Sequence, residues 1–503
     1  MNPYSKIVQR RQAGLTLVEV LVSIVVTLIL AIALIQVFKI VGDAVNRGRA
    51  TLEISGEMRT VSQRLQSDLD MLTVPVRPWP TPSAGLGYFE FGEGIGAPAT
   101  ASNPRTVYVG EPHETLRSLN PPIFNTLTGD IDDYIAFTAR SDDEPFVGQI
   151  FDPDPNVNGF RTIRSNVAEI IWWVSADPAE AVDSPYRYRL HRRVLLVRPD
   201  LNSTVTGLWR NLGTPGTLAD IQSGIRNFLN VNDLSVRFDT YTDTNGTTYG
   251  VAANSLADLT RREYRFGRNG TQVAAGFRTI DQTQYPFYPN IVPYVNASLL
   301  TREQYGSELG EDLMLSNVLA LDVRAFDPTA AIYPYNRDTG DTVNGIETIA
   351  PGDSGFASSN LANVGSMVGK GAFVDLNYGN PLLFNDPTMK SIPSLSYFSR
   401  PPHPKSNLAA NAAQAYHWNR PFYDTWTSYY EQDGINQNGN AFFDEGTDGF
   451  DNDGVNGVDD AGERETSPPY PYSLRGIQVK LRAIEPNNRI VRQMTITADF
   501  VPE

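Results

Sequence analysis

The chain has 503 residues, enough for two or three domains of ordinary size, and its 35 prolines, 40 glycines, 23 tyrosines and 23 phenylalanines favour strands and loops over helices in its body. Its formal net charge of −16 argues against a general binder of nucleic acid or of anionic membranes, because both need a basic surface. The absence of cysteine excludes disulfides and thiolate metal sites, and four histidines leave little material for a histidine metal site.

The N-terminus combines a short basic segment with a long apolar run. Residues 1–14 carry three basic side chains and no acid, and residues 15–38 are apolar except for small hydroxyl side chains, Glu19 and Gln36. About 20 apolar residues are needed to span a bilayer, and positive charge holds the flanking end in the cytoplasm. The sequence therefore predicts a membrane-spanning helix with Glu19 near its start, and an ionisable group in that position usually marks a function.

Gly14 directly precedes this run, and Glu19 is the fifth residue after it. A basic leader, a glycine and an apolar helix with glutamate at its fifth position resemble the class III signal of type IV prepilins and of type II secretion pseudopilins. The resemblance implies cleavage between Gly14 and Leu15 by a prepilin peptidase, and N-methylation of Leu15, where the family most often has Phe. It also implies that Glu19 meets the terminal amine of a neighbouring subunit during assembly. The alternative is an uncleaved anchor whose Glu19 snorkels to the lipid interface.

The helical pattern continues through residues 39–74. Apolar residues recur mostly at steps of three, four or seven until three prolines follow, which predicts one helix from 15 to 73 whose second part is amphipathic. Three glycines inside it mark places where the helix could bend. The predicted apolar stripe, which we expect to pack on a head domain, comprises Val41, Val45, Leu52, Met58, Val61, Leu65, Leu69 and Leu72. The segment 62–72 resembles the end of this helix in J-type pseudopilins and PilW-like minor pilins.

The body of the chain predicts antiparallel strands separated by turns and long loops. The best candidates are 134–140, 167–176, 186–197, 234–241, 318–327, and a terminal hairpin of 476–484 and 492–501. Several of these segments alternate apolar and polar residues, as half-buried antiparallel strands do. Their order is similar to that in the head of J-type pseudopilins. We expect a short helix at 218–229 and loops at 242–254 and 333–359.

Residues 431–465 form an acidic segment in which eleven carboxylates alternate with Gly and Asn. This pattern resembles the Asp/Asn/Gly repeats, related to thrombospondin type 3, that bind calcium in exported bacterial proteins, and Ca²⁺ prefers such oxygen ligands. The predicted ligands are Asp448, Asp451, Asp453, Asn456 and Asp459. A second and poorer site would use Asn436, Asn438, Asn440, Asp444 and Glu445. The alternative is a solvated acidic loop without an ion.

Catalytic motifs in the sequence are incomplete. The tetrapeptide around Ser354 matches the nucleophile of trypsin-like proteases, but no histidine lies in the context that this chemistry needs, so a turn is the better interpretation. The segment 365–371 resembles a phosphate-binding loop but is one residue short and ends in glycine. Trp172 and Trp173 are adjacent in a predicted strand, so they point to opposite faces and we expect at least one to pack in the core. We therefore predict no enzymatic activity.

These features together predict an α+β protein with a long N-terminal pilin-type helix and an enlarged antiparallel β-rich head. The predicted divisions are a leader at 1–14, a transmembrane or filament-core helix at 15–38, its amphipathic continuation at 39–74, the head with long insertions at 75–430, the acidic segment at 431–465 and a C-terminal hairpin at 466–503. The transmembrane part would contact lipid and hold the protein in the bacterial inner membrane, with the N-terminus cytoplasmic and the head periplasmic.

The predicted function is structural. By the resemblance, the chain would be a minor pilin or pseudopilin whose partners are the prepilin peptidase, other pilins or pseudopilins and an inner-membrane assembly platform, with no nucleic acid expected. A head of this size fits poorly in a repeating shaft, which favours the filament tip. The alternatives are an adhesin or binding module, anchored in the membrane or carried at a filament tip, and an anchored exported enzyme that would need an active site.

Overall fold

The structure of the protein is a computed structural model, in which one long helix is followed by a β-rich head. It describes residues 16–75, 84–92, 133–152, 159–176, 188–203, 228–229, 231–243, 246–261, 264–265, 313–335, 347–351, 353, 367–376, 378, 397–398, 422–426, 432, 434, 442–455, 457–460, 463, 470 and 472–500. Within these ranges the predicted α+β plan is confirmed, with the helix first and antiparallel strands after it.

Helix α1 runs from Leu17 to Asp70, 54 residues, which is about 81 Å at the rise of an α-helix. Gly42, Gly48 and Gly56 lie inside it without ending it. The helix is long and apolar enough to cross a membrane, since an 18-residue window has a mean hydropathy of 2.9 and none of that window is buried. The predicted long helix is therefore confirmed.

The buried face of α1 differs from the predicted stripe in its first half. Burial runs along one face through Ala50, Ile54, Met58, Val61, Leu65 and Leu69. Leu52 is instead 76% exposed, and Val41 and Val45 are exposed too. Six residues separate Leu52 from Met58, about 240° around an α-helix, so the two side chains cannot share a face. Val41 and Val45 precede the first position that the head covers.

Fourteen strands lie in the described part of the chain. They are β1 (Phe89–Gly92), β2 (Tyr134–Arg140), β3 (Phe146–Asp152), β4 (Gly159–Ser165), β5 (Val167–Ala176), β6 (Tyr188–Leu196), β7 (Val236–Asp243), β8 (Gly246–Ala253), β9 (Leu313–Tyr335), β10 (Glu347–Ile349), β11 (Gly369–Val374), β12 (Phe422–Asp424), β13 (Gly476–Glu485) and β14 (Ile490–Asp499). The main sheet has the order β12–β1–β2–β5–β6–β9–β13–β14, and β10 and β11 both pair with β9. Strands β3–β4 and β7–β8 form two separate hairpins.

Strand prediction succeeded where the apolar pattern was continuous. Strands β2 and β5 have the predicted bounds, and the terminal hairpin of β13 and β14 forms with Glu485 opposite Ile490. The Glu485 carboxylate accepts hydrogen bonds from the backbone N–H groups of Asn487 and Asn488, and these bonds stabilise the turn between the two strands. Strand β9 extends well beyond the predicted segment, because its first part pairs with β6, its middle with β13 and its last part with β11 and β10.

Two of the predicted loops contain strands. Most of 242–254 is β8, which pairs with β7 over eight residue positions. Its threonines and tyrosine suit a strand, but two glycines obscured that preference in the sequence. Within 333–359, β10 pairs with the end of β9. The predicted helix at 218–229 lies almost entirely outside the described residues.

The half of the main sheet that ends at β14 packs one of its faces against α1. The helix contacts β14, β13 and β9, and its buried side chains join a common core with the strands. Trp172 and Trp173 are both buried, so the prediction that at least one of them packs in the core is confirmed. Trp172 lies toward the helix, whereas Trp173 stacks on the imidazole of His191 with ring centroids 5.2 Å apart.

Candidate functional site

The first turn of α1 carries the predicted assembly residue. Thr16 is the N-cap of the helix, and its hydroxyl accepts a hydrogen bond from the Glu19 N–H at 3.3 Å. The Glu19 carboxylate in turn accepts hydrogen bonds from the Thr16 N–H and hydroxyl, both at 2.9 Å. This reciprocal capping box holds the carboxylate at the positive end of the helix dipole. Gly14 and Leu15, the predicted processing residues, lie outside the described residues.

The hydroxyl groups farther along the apolar segment bond back to the helix. Ser23 donates to the Glu19 carbonyl and Thr27 donates to the Ser23 carbonyl, each at 2.7 Å. Such bonds satisfy hydroxyls within the helix itself, which is what an environment without water requires. Glu19 is the single acidic side chain between Thr16 and Asp43. The hydroxyl groups of Ser23 and Thr27 that follow it need no water to satisfy them, which suits an apolar environment.

A buried carboxylate joins the end of α1 to the sheet. Asp68 is fully buried, and its side chain accepts hydrogen bonds from the Trp172 indole N–H at 3.0 Å and from Arg192 at 2.6 and 2.8 Å. Trp172 lies on β5 and Arg192 on the neighbouring strand β6. The bidentate pair with Arg192 fixes both the axial position and the rotation of the helix against the head. We call these three residues the Asp68 cluster.

A second set of buried charges lies inside the head. The Arg265 guanidinium donates to Glu90 at 2.6 Å and to Asp424 at 2.9 Å, and it stacks 4.1 Å above the ring centre of Tyr88. The Tyr88 hydroxyl donates to Glu169 at 2.7 Å. Burial raises the pKa of Tyr88 well above its ordinary value, and the neighbouring Glu169 and Glu90 raise it further. These ion pairs connect distant parts of the chain, so their arrangement serves the packing of the head.

The acidic segment folds around one buried carboxylate. Glu463 is 1% exposed, and it accepts hydrogen bonds from the backbone N–H groups of Asn452, Asp453 (3.3 Å) and Asp460 (3.0 Å). One carboxylate oxygen from each of Asp451, Asp453 and Glu463 lies within 4.8 Å of the others. Because a carboxylate oxygen has two lone pairs, Glu463 can accept these N–H bonds and still face a cation. The three residues, here named the carboxylate triad, have the oxygen ligands that a hard cation prefers.

Only part of the predicted calcium ligand set meets in the triad. Asp451 and Asp453 belong to it. Asp448 accepts from Phe450 N–H and from the Asn452 amide, and Asp459 accepts from Gly449 N–H, so both also organise the loop.

The second predicted site is described only at two residues. Asp444 accepts the Gly434 N–H at 3.0 Å with both oxygens, and Glu445 is 2% exposed. The three predicted amide ligands of this site, Asn436, Asn438 and Asn440, lie outside the described residues, and so does Asn456 of the first site.

Glu463 is the member of the carboxylate triad that the sequence prediction did not include. In the sequence it is one of eleven carboxylates in the acidic segment, so its spacing from Asp451 and Asp453 does not stand out. The signal is its position ten and twelve residues after Asp453 and Asp451, because a loop of that length can return a glutamate to its own start, as in EF-hand loops.

The segments that resembled catalytic motifs lie in turns and strands where they are described. Asp353 accepts a hydrogen bond from the Ala350 N–H at 2.8 Å, which is a turn contact. Gly369, Lys370 and Gly371, the end of the phosphate-loop-like segment, lie in β11. A phosphate-binding loop precedes a helix instead. Ser354 lies outside the described residues.

One comparison with known proteins matches the chain, and it concerns the N-terminus. Residues 9–35 match the family model of the prokaryotic N-terminal methylation motif. No curated protein and no solved structure matches the chain. The matched residues include Gly14, Leu15 and Glu19 and run into the exposed apolar part of α1. A methylation motif on a long apolar N-terminal helix fits a type IV prepilin-like protein.

Proposed function

We propose that the chain is a structural subunit, a minor pilin or pseudopilin, of a type IV pilus or a type II secretion pseudopilus. The observation that carries this proposal is the methylation motif at 9–35, continued by a helix that is exposed on all sides from Leu17 to Arg49. So large an apolar surface must be covered by lipid or by other helices. Membrane lipid covers it before assembly, and neighbouring subunits cover it in the filament.

In this proposal a prepilin peptidase cleaves between Gly14 and Leu15, and Leu15 is then N-methylated. Glu19 exchanges its local contact with Thr16 for the terminal amine of the neighbouring subunit, because a carboxylate within apolar surroundings is stabilised best by an opposite charge. Before assembly the subunit lies in the inner membrane with its N-terminus cytoplasmic and its head periplasmic, and it enters the filament from there. Its partners are other pilins or pseudopilins and the inner-membrane assembly platform.

The proposed divisions follow the six ranges given by the sequence, with 1–14 as the leader, 15–38 as the filament core and 75–430 as the main part of the head. We propose the filament tip as its position, because a head of this size would collide with subunits stacked above it. Immunogold labelling tests this placement: label at filament ends supports it, and regular label along the sides contradicts it.

We further propose that the carboxylate triad binds Ca²⁺. Three carboxylate oxygens within 4.8 Å of one another supply part of the six to eight oxygens that the ion takes, and loop carbonyls and water would supply the remainder. The ion would neutralise part of an acidic loop that has no disulfide to hold it.

Intact mass and N-terminal sequencing of the membrane-extracted chain test the proposed function. The protein is expressed with and without the prepilin peptidase of its host. A mature chain that begins at methylated Leu15 only when the peptidase is present supports the proposal. A chain that begins at Met1 under both conditions would make the protein a plain membrane anchor and would refute it.

A further inference from the structure

A groove lies where α1 enters the head. It has a volume of about 400 Å³ and is bounded by α1, by the first residues of β9 and by the turn between β13 and β14. Strand β9 pairs with β13 only from Val318 onward, and Asn317 directly before it has a left-handed backbone with φ 56°. The start of β9 therefore leaves β13 and pairs with β6 instead, which opens the groove. Its volume is within the range of about 300–1,000 Å³ that ligand sites have.

Three carboxylates line this groove, which we call the stalk–head groove, and none of the described residues that line it is basic. Glu53 and Glu57 are one turn apart on α1, and Glu485 lies at the end of β13. Glu485 accepts the turn N–H groups, whereas Glu53 and Glu57 have no ion pair with any residue that the structure describes. The adjacent bases Arg49 and Arg489 pair with neither of them.

The two helix carboxylates repel each other. Burial raises the pKa of Glu57 above its ordinary value, and the charge of Glu53 raises it further. Like charges at this spacing oppose helix stability. A local arrangement that lowers stability without a compensating contact inside the chain is expected at functional sites. The pair therefore indicates a positive group that is supplied from outside the chain.

The chemistry of the groove favours a basic side chain over a bare metal ion. Among the described residues, only the carboxylate triad brings three acidic oxygens within 4.8 Å of one another, so the groove carboxylates are too far apart to share one ion. An arginine or lysine side chain carries several donors on a long stem and can reach separate carboxylates. Ile54, Met314 and Ile484 also line the groove, and they would pack on the apolar part of that stem.

The position of the groove indicates where the basic side chain comes from. Ala50 is the first buried residue of α1, and Glu53 and Ile54 follow it closely. The groove therefore lies at the end of the head that is nearest to the exposed part of the helix. In a filament, a subunit that joins beneath this one lies along that exposed part and meets this end of the head.

We propose that the stalk–head groove binds an arginine or lysine side chain of a different pilin-like subunit, the one directly below this chain in the filament. The inference deepens the proposed function and rests on it. Glu53 and Glu57 gain the opposite charge that they lack within the chain, and Glu485 faces the same cation. A second copy does not fit this role, because the proposed tip position places no copy of the chain beneath it.

Neutralising one carboxylate separates binding from folding. Glu57→Gln removes the repulsion with Glu53, so the full-length chain in detergent should be at least as stable in urea as the unchanged chain. Its recovery in sheared filaments should nevertheless fall about threefold, because the groove attracts the cation less. A variant that loses stability and recovery together, or that keeps full recovery, would overturn the proposal.

Charge reversal gives the larger effect. Glu53→Lys combined with Glu57→Lys should lower filament recovery about tenfold or more, because the groove then repels the cation. The matched control combines Asp143→Lys with Glu144→Lys, which reverses two exposed acids on the turn before β3. It changes the net charge equally and should leave recovery unchanged. Equal losses for the two double variants would contradict a role of the groove.

Photo-crosslinking identifies the occupant. Asn487, which is exposed and lines the groove, is replaced by benzoylphenylalanine, and Asp143 carries the same probe as the control. Irradiated filaments should yield a crosslink from position 487 to a different pilin-like subunit, identified by mass spectrometry, at several times the control yield. The double reversal of Glu53 and Glu57 should remove it. A crosslink only to a second copy of the chain, or none above the control, would overturn the proposal.

Fractionation separates this inference from the proposed function. If the chain is present in sheared filaments and both groove variants enter as well as the unchanged chain, the groove proposal is wrong and the filament function stands. If the unchanged chain is absent from filaments under all conditions, the proposed function is wrong, and the groove proposal that rests on it is overturned as well.

Discussion

Replacing Asp68 by alanine removes the carboxylate that joins α1 to strands β5 and β6. The variant leaves Arg192, whose side chain is 10% exposed, without its bidentate partner, and the Trp172 N–H loses its 3.0 Å acceptor. Breaking a buried ion pair on one side costs roughly 3–5 kcal/mol, and an unsatisfied buried N–H costs roughly 1–3 kcal/mol. The two losses share one site and do not add. We expect the free energy of unfolding to fall by about 4 kcal/mol.

Urea denaturation of the full-length chain in detergent, followed by tryptophan fluorescence, measures this loss. Asp70→Ala is the matched control, because Asp70 is exposed on the same helical turn and accepts only a surface contact from Gln66 at 3.1 Å. Its expected cost is below about 0.5 kcal/mol. Pairing Asp68→Leu with Arg192→Met should recover part of the lost stability, since apolar residues can replace a buried ion pair while the Trp172 N–H still lacks its acceptor. Equal unfolding free energies for Asp68→Ala and Asp70→Ala would refute the stabilising role of the Asp68 cluster.

Three further predictions concern other sites. Glu19→Ala should leave leader cleavage intact but remove the chain from sheared filaments, and normal incorporation would contradict the assembly role of Glu19. Glu463→Gln should weaken Ca²⁺ binding, measured by calorimetry, about tenfold or more, whereas Asp142→Asn on an exposed turn should not. Burial, and then Arg189, lower the pKa of His191 to about 3. Between pH 6.5 and about 3 the unfolded chain therefore binds a proton that the folded chain excludes. The free energy of unfolding thus decreases as the pH is lowered through this range, by up to about 1.4 kcal/mol per pH unit. His191→Phe should flatten that slope in urea titrations, and an unchanged slope would contradict the assignment.

The sequence predicted those features that depend on neighbouring residues along the chain. Glu19 and the apolar run around it form a contiguous motif, and the long helix and strands β2 and β5 follow from local periodicity. The prediction of the buried helix face was wrong at Leu52. The predicted stripe included a step of six residues from Leu52 to Met58, and residues six apart lie on different faces of an α-helix.

The Asp68 cluster shows where local pattern ends. Asp68 lies three residues after Leu65, on the buried face of the helix, and Asp70 lies on the opposite face, but the neighbouring sequence does not show what pairs with a carboxylate buried there. The partners that bury Asp68 are Trp172 and Arg192, which lie 104 and 124 residues away along the chain. Their meeting is set by the order of β5 and β6 in the sheet.

The sequence by itself determined the N-terminal motif, the long helix and the acidic character of the segment near the C-terminus, because each depends on residues adjacent in the chain. Only the tertiary structure decided which acids have a structural role. It buried Asp68 against the sheet and placed Glu463 beside Asp451 and Asp453, while Phe450 stayed exposed. The physical reason is that the burial of a side chain and the distance between two carboxylates depend on how the folded segments pack. The amino-acid composition does not contain that information.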